Sequence, residues 1–350
     1  MKKANQKLLQ FRPVGKSHGF SLVELMVAAT IGLILLGGIG YVYLGSRQTF
    51  RTQDDFSRIQ ENVRYALDQV GVDVRMAGYA GCLNAASIDP ANPSAGPAVA
   101  NISNTPPAIG LGDAMQGYEG ATWTASGTAP GNWINGTGVF VITRASEAGV
   151  NLTGNTVPTN ANLQIAGNPN NFVAGEVLLV ANCTTADTFT ATNVSNSGST
   201  VTIAHSNSNN TANFTVNAYG DDAEMFRMVS NTYFIGTNPA GVPALYRRTL
   251  DGNAEEMVDN VENIVMRFGV DTDNDYVVNS YVSPSAVTNW RQVMTARISM
   301  VFRSNSINVA TQVQPCVVEN AACPSAYSNT ADRRLRQVAT ATFGLRNRLP

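Results

Sequence analysis

The stretch "KSHGFSLVELMVAATIGLILLGGIGYVYLGSRQ", residues 16–48, decides the fold of this chain. From Phe20 to Leu44 it has 25 residues, and Glu24 is their only charged side chain. As an α-helix this run is about 37 Å long, which is enough to cross a bilayer. A cleaved secretory signal has a shorter apolar core followed by a small-residue cut site, so we interpret the run as an anchor that stays in the mature protein.

Charge is distributed unevenly on the two sides of this run. All four lysines and Arg12 lie within the first 19 residues, which contain no acid, whereas the rest of the chain has 18 arginines and 25 acidic residues. A basic segment before an apolar helix keeps the N-terminus cytoplasmic and sends the following chain across the membrane. We therefore expect the bulk of the 350 residues to be extracytoplasmic.

The helical pattern continues beyond the apolar run. Apolar residues follow at steps of three and four: Phe56, Ile59, Val63, Leu67, Val70 and Val74. The charged residues of this part, Asp55 and Asp73 among them, are expected mostly on other faces. We predict one helix over residues 20–76, with its transmembrane part at 20–44 and its second half packed on a globular head. Glycines such as Gly78 are expected to end this helix.

Glu24 is the anomaly of the membrane segment. A carboxylate in a membrane helix costs about 2.5 to 3.5 kcal/mol at the bilayer centre and less near the interface, so it usually has a partner. A cut after Gly19 would supply a free amine at Phe20, four residues before the acid. An acid that is merely solvated at the interface is the alternative that stays open.

The segment "KSHGFSLVELMVA", residues 16–28, resembles the type IV prepilin motif: a basic leader, a glycine before the cut, a phenylalanine as the new N-terminus and a glutamate as the fifth mature residue. The resemblance implies that a prepilin peptidase removes residues 1–19, cutting between Gly19 and Phe20, and N-methylates Phe20. It also implies that Glu24 pairs, during assembly, with the N-terminal amine of a neighbouring subunit.

Further stretches are similar to the minor pilin family PilW. They are "LDQVGVDVRMAGYAGC" (67–82), "AGEVLLVANCTTADTF" (174–189), "FRMVSNTYFIG" (226–236), "LYRRTLDGNAEEMVDNVENIVMRFGVDTDND" (245–275) and "RRLRQVATATFGLRNR" (333–348). The resemblance implies a minor pilin of the priming or tip complex of a type IV pilus, which supports twitching motility, adhesion or DNA uptake. The partners implied are other minor pilins, the major pilin, the prepilin peptidase, the inner-membrane assembly platform and a tip adhesin. The implied location is the inner membrane with a periplasmic head, and later the pilus tip.

The head, residues 77–350, reads as β-rich. Apolar and polar residues alternate with period two in 264–270, 293–303 and 334–348, and "VFVIT" and "VLLVA" are short apolar runs suited to central strands. We predict a short helical turn within 254–264, and long loops or irregular strands in the Asn, Ser and Thr-rich stretches 84–135, 150–171 and 190–218. The predicted fold class is α+β and pilin-like: a long N-terminal helix packed on an antiparallel sheet with long loops.

The four cysteines, an even number in a chain expected to be exported, favour disulfides over metal ligation or catalysis. Of three pairings, we favour Cys316 with Cys323, which are close in sequence, and hence Cys82 with Cys183. Four unpaired buried thiols remain the alternative.

Two polar features could bind a ligand. "DTDND" places Asp271, Asp273 and Asp275 at the spacing of the first three ligands of a calcium loop, but Tyr276 and Val282 stand where such a loop has glycine and glutamate. A looser calcium site and a solvated turn are both left open, and no other cofactor is expected. Five C-terminal arginines suggest a basic patch for an acidic subunit or nucleic acid, or a charged edge that prevents strand pairing: Arg333, Arg334, Arg336, Arg346 and Arg348.

Catalysis finds little support in the sequence. No lysine follows Lys16, so a P-loop is excluded, "GLGDAM" fails the dinucleotide-binding pattern, and GxSxG is absent. His205 is the only histidine after the leader and is interpreted as a strand-end residue. We expect an assembly protein and no enzyme. The alternatives are a minor pseudopilin of a type II secretion system and a membrane-tethered binding protein that does not polymerise.

Overall fold

A computed structural model of the protein describes residues 19–84, 98–104, 110–120, 129–154, 157–213, 215–319, 321–324 and 330–348. The chain forms two compact units, residues 1–53 and residues 54–350. The second unit is called the head below.

The helix α1 runs without a break from Leu22–Met76, and the prediction of one long helix is confirmed. In the first unit its apolar side chains are exposed on all sides. Among the described residues, α1 is the one helix that is long and apolar enough to cross a membrane. The helix ends where expected, because Gly78 has a φ of 75°, a left-handed conformation that favours glycine.

The part of α1 that belongs to the head buries one stripe. Ile59, Val70 and Val74 are almost fully buried and Val63 and Leu67 partly buried, as the steps of three and four predict, and Ala66 is buried beside them. Phe56, however, is 45% exposed. Asp55 and Asp73, expected mostly on other faces, are each only 4% exposed.

The strands of the head are short in its first half and long in its second half. In chain order the first are β1 Tyr79–Ala80, β2 Leu83–Asn84, β3 Ala98–Asn101, β4 Met115–Tyr118, β5 Val139–Ala145, β6 Val150–Asn151, β7 Asn162–Ala166, β8 Val177–Ala181, β9 Thr185–Thr190, β10 Asn193–Ser197 and β11 Thr200–Ala204. The others are β12 Glu224–Thr237, β13 Pro243–Arg248, β14 Ala254–Asp259, β15 Val261–Val270, β16 Ser280–Val282, β17 Val293–Arg303, β18 Val317–Val318, β19 Ala321–Ala322 and β20 Arg336–Gly344. Single 3₁₀ turns lie at Pro284–Ala286, Trp290–Gln292, Thr330–Asp332 and Arg346–Arg348.

These strands form three larger sheets. A nine-stranded sheet has the order β14-β13-β12-β8-β9-β3, with β5 and β6 also pairing with β12 and β4 pairing with β5. A four-stranded sheet has the order β16-β15-β17-β20, and a three-stranded sheet the order β10-β11-β7. Among the described strand pairs, β3 with β9 is parallel and the others are antiparallel. The predicted α+β fold with an antiparallel head is therefore confirmed.

The main core joins α1 to the four-stranded sheet and to β5, β12 and β13. Gly71 of α1 allows the closest approach, since a Cβ there would lie 2.6 Å from the Phe343 ring of β20. β15 and β17 cover the predicted stretches 264–270 and 293–303, and "VFVIT" and "VLLVA" lie in β5 and β8. Of the predicted stretch 334–348, β20 takes up Arg336–Gly344, and Arg346–Arg348 form a 3₁₀ turn.

The helical turn predicted within residues 254–264 is wrong. β14 and β15 occupy this segment, and Asn260, with a φ of 59°, makes the break between them. β14 pairs with β13, where Glu255 lies opposite Arg247 and forms an ion pair with it. Cross-strand pairing therefore overrides the local preference of the acidic residues for a helix.

Asp73 holds α1 onto the nine-stranded sheet. Its Oδ1 accepts hydrogen bonds from Nε and Nη2 of Arg144 on β5, at 3.2 and 3.0 Å. Its Oδ2 accepts from Nδ2 of Asn231 and the hydroxyl of Tyr233 on β12, both at 2.6 Å. Burial and the neighbouring carboxylate raise the pKa of Tyr233, which keeps its hydroxyl protonated as a donor.

A separate lobe forms where the sequence predicts long loops or irregular strands. β7, β10 and β11 enclose a second core that includes Phe172, Phe189 and Ile203. Glu176 and Asp187 are the only Asp, Glu, Lys or Arg among residues 148–220. Glu176 pairs with Arg227 at 3.0 Å, and Asp187 is buried.

His205 directly follows β11, at a strand end as predicted, and its side chain is buried beside the second core. It is fully buried, its ring centroid is 5.0 Å from that of Phe189, and neither ring nitrogen has a hydrogen-bond partner among the described residues. Burial lowers the pKa of His205, while the Asp187 carboxylate opposes this shift.

We expect Asp73→Ala to lower the free energy of unfolding of the head by about 3–5 kcal/mol, because Arg144 would remain buried without its acid. Urea unfolding of the full chain in detergent measures this loss. The control is Asp68→Ala on the exposed side of the same helix, which should change stability by less than about 0.5 kcal/mol. Equal losses for the two variants would show that the Asp73 contacts contribute nothing special.

We also expect the head to lose stability as the pH falls below the ordinary histidine pKa of about 6.5. The pKa of His205 is lower in the folded state than in the unfolded chain. Its contribution to the stability of the head is therefore complete above about pH 6.5 and is lost as the pH falls, because the unfolded chain binds the proton more readily. Melting temperatures between pH 7.5 and 5 should fall less steeply for His205→Phe than for the wild type. An unchanged slope would contradict a role for His205.

Candidate functional site

The predicted cut site lies at the start of α1. Gly19 and Phe20 precede the helix and are exposed, with 83% of Phe20 accessible, whereas residues 1–18 lie outside the described part. Glu24 is exposed in the first turn. A carboxylate there interacts favourably with the helix dipole, and so would offset an amine created at Phe20.

A second role for Glu24 is visible in its spacing. The carbonyl of Ser21 accepts the first helical hydrogen bond from Leu25 N at 3.1 Å, so Ser21 is the N-cap and Glu24 the third helical residue. Ser followed three residues later by Glu is the capping-box pattern, in which the acid bonds back to the N-cap amide. The sequence-based prediction for Glu24 misses this capping role, although the spacing of Ser21 and Glu24 is its signal.

The apolar half of α1 presents an unpacked surface within its own unit. A Cβ added to Gly32, Gly37, Gly38, Gly40 or Gly45 would meet nothing within 4 Å. These glycines are thus not required for packing among the described residues. Small residues of this kind allow other helices to approach closely in a bilayer.

Both disulfides have the pairing that the sequence favours. Cys82, between β1 and β2, is bonded to Cys183, between β8 and β9. Cys316 and Cys323 close the β18–β19 hairpin, and the amide of Cys323 donates to the carbonyl of Cys316 at 2.9 Å. No free cysteine occurs. The first bridge attaches the chain just after α1 to the nine-stranded sheet.

The three aspartates of the predicted calcium loop come together. One ligand oxygen from each of Asp271, Asp273 and Asp275 lies within 4.8 Å of the others. Asp271 is fully buried, and its carboxylate already accepts the backbone N–H groups of Asn274 at 2.7 Å and Tyr276 at 2.8 Å. This carboxylate therefore closes the turn between β15 and β16 through backbone hydrogen bonds.

The C-terminal arginines do not form the predicted basic patch. Arg336 is buried against Glu262, with Nε 2.8 Å from Oε2, and Arg348 is fully buried and donates to the carbonyl of Trp290 at 2.9 Å. Arg334 pairs with Asp332, and Arg333 donates to Asn308. Internal acids and carbonyls thus take up the charge of Arg334, Arg336 and Arg348, whereas Arg333 and Arg346 are exposed.

Asp55 was not recognised as a candidate from the sequence. It lines a polar cavity of about 270 Å³ in the head, together with residues of β14 and of the segment that follows β17. A single acid on the buried face of a helix is the signal that could have identified it.

Comparison with known proteins gives two family matches. Residues 15–40 match the prokaryotic N-terminal methylation motif, and residues 232–347 match the family described as type IV pilus-assembly protein W. The second match covers part of β12 and the strands up to the end of β20, whereas the stretches 67–82 and 174–189 lie outside it. Neither the curated proteins nor the solved structures give a significant match.

The prepilin motif, the apolar helix and the β-rich head define a type IV pilus-related, membrane-anchored pilin. The two family matches together support a pilin of the PilW type, with the PilW match confined to residues 232–347. The family indicates a structural protein that interacts with other type IV pilus components.

We expect no change in the melting temperature of the full chain when millimolar calcium is added, because the Asp271 carboxylate is already satisfied by backbone donors. A calcium site predicts the opposite: a rise for the wild type that Asp273→Asn abolishes. Differential scanning calorimetry with calcium, and with magnesium as the control cation, distinguishes the two.

Proposed function

We propose that this chain is a minor pilin that takes part in starting type IV pilus assembly and is incorporated at or near the pilus tip. The observation that carries the proposal is that the methylation motif and the PilW-type head occur in one chain. The cut site and Glu24 stand at the start of the helix that the motif requires. Catalysis has no place in this proposal, since the chain acts through assembly contacts.

The precursor is inserted with its N-terminus in the cytoplasm and its head in the periplasm. The basic leader supports this orientation, and the two disulfides fit the oxidising side of the membrane. A prepilin peptidase then cuts between Gly19 and Phe20 and methylates the new N-terminus. The anchor at residues 20–44 remains.

Glu24 then guides docking between subunits. An amine on Phe20 of one subunit and the carboxylate of Glu24 of the next attract each other more strongly in the low dielectric of the membrane than in water. Neighbouring subunits would be other minor pilins and the major pilin, on the inner-membrane assembly platform. A tip adhesin would contact the head.

Twitching motility, adhesion and DNA uptake are the processes that such a pilus supports. The C-terminal arginines give no support to direct contact with nucleic acid by this chain, because most of them are used internally.

A pseudopilin of type II secretion shares the leader and the helix, and is the nearest alternative. A membrane-tethered binding protein is an alternative from a different class. A cavity of about 310 Å³ beside residues 228–231 of β12 favours this alternative. The cavity lies between the segments of β12 that pair with β8 and β13, and Val177 and Leu250 contribute to its lining.

Gene deletion separates the three functions. Loss of surface pili with normal protein secretion supports the proposed function, and loss of secreted proteins with normal pili supports the pseudopilin. Normal pili and normal secretion would favour the tethered binding protein.

We expect Glu24→Ala to leave membrane insertion and cleavage intact and to reduce incorporation into pili at least tenfold, because the intersubunit ion pair is lost. Immunoblots of the membrane and sheared-pilus fractions measure both quantities. Glu24→Gln is the matched control, since glutamine can accept the same capping-box hydrogen bond as glutamate but carries no charge.

If Glu24→Gln assembles like the wild type, the capping role suffices and the ion pair is not needed. Defective cleavage of Glu24→Ala would instead assign the residue to recognition by the peptidase. A Gly19 substitution that is still processed would contradict the prepilin interpretation altogether.

A further inference from the structure

Two aspartates on the buried face of α1 differ in how fully they are bonded. Asp73 accepts four hydrogen bonds from the nine-stranded sheet. Asp55 is equally buried, but its Oδ2 has no hydrogen-bond partner among the described residues. A buried carboxylate oxygen without a donor is costly, so a missing partner is the expected explanation.

Asp55 faces the polar cavity of about 270 Å³ described above. Glu61 of α1 and Asp259 of β14 also line this cavity, so three acids border it. Nδ2 of Asn62 donates to Oδ1 of Asp259 at 3.0 Å, which fixes that carboxylate at the cavity wall. The site is thus built from two elements that pack against each other within the head.

The two arginines that line the cavity are already paired with acids other than these three. Arg58 pairs with Asp54 at 3.1 Å on the exposed side of α1. Arg303 pairs with the fully buried Glu262 at 3.4 Å, a carboxylate that it shares with Arg336. The charge of the three acids bordering the cavity therefore exceeds what these arginines compensate.

A metal ion fits this arrangement poorly. The described groups of three or more candidate ligand residues with their ligand atoms within 4.8 Å of one another do not include these acids. An organic cation tolerates the wider spacing, since a guanidinium carries several donors around a planar group and an ammonium carries three.

We propose that the Asp55 cavity is a socket for the guanidinium or ammonium group of an arginine or lysine side chain from another pilin subunit. The proposal rests on the proposed function, because pilus assembly supplies the neighbouring subunit. The unpartnered oxygen of Asp55 receives the cation, and the Asp259 and Glu61 carboxylates add to the attraction. Within the single chain this bond stays unmade, and docking of the neighbour completes it.

The test uses the full chain in cells that assemble pili. The photo-crosslinker p-benzoylphenylalanine replaces Asn305, an exposed residue at the cavity, and mass spectrometry locates the captured peptide. We expect capture of another pilin at a peptide that contains arginine or lysine. Asp55→Asn, which keeps the shape and removes the charge, should reduce the yield at least tenfold, whereas Asp68→Asn on the exposed face of α1 should leave it unchanged.

The melting temperature supplies the folding control. Asp55→Asn should melt at the same temperature as the wild type or higher, since it removes an unpartnered buried charge. A lower melting temperature would show that the Asp55 carboxylate is stabilised inside its own chain and would overturn the proposal. An unchanged crosslink yield in Asp55→Asn, or a captured peptide without a basic residue, would also overturn it.

The proposed function can be tested independently of the Asp55 socket. If the wild-type chain does not enter pili at all, the pilin assignment of its role is wrong. If wild-type incorporation is normal, Glu24→Ala abolishes it and Asp55→Asn has no effect on crosslinking, then the role in assembly stands and the socket does not.

Discussion

The buried carboxylate of Asp73 fixes the helix of the head on its sheets. It is bonded to Arg144 on β5 and to Asn231 and Tyr233 on β12, so one charge joins three elements that are distant in sequence. Apolar burial along the same stripe is not directional, whereas these hydrogen bonds require one register of helix against sheet. Gly71 then permits the close approach of the Phe343 ring.

In the proposed assembly, Asp55 and Glu24 extend the same chemistry beyond the single chain. Asp73 is saturated by its own sheet, but Oδ2 of Asp55 has no described partner and Glu24 is exposed in an apolar run. A protein that must join others gains from acids whose best partner belongs to a neighbour, because the bond then forms only on assembly. Under this proposal, stability of the subunit and attraction between subunits depend on different residues of one helix.

The head divides into a family part and a part outside the family match. The matched residues 232–347 contain the four-stranded sheet that packs against α1. The lobe around β7, β10 and β11 lies outside the matched residues and has its own core. Glu176 and Asp187 are the only Asp, Glu, Lys or Arg among residues 148–220. With so little charge, its surface provides little electrostatic steering for an approaching molecule.

The sequence by itself determined the anchor, the single long helix, the strand segments with period-two alternation, and the cysteine pairing that the structure shows. These features depend on local periodicity, on charge order along the chain, or on spacing. Tertiary structure alone decided that residues 254–264 form strands and that Asn and Thr-rich segments enclose a core. It also decided that three of the five C-terminal arginines turn inward and that Asp55 and Asp73 are buried. Each of these outcomes depends on a partner far away in sequence, and a charged residue looks solvent-exposed in a linear pattern until the residue that pairs with it, or the cavity that it lines, is known.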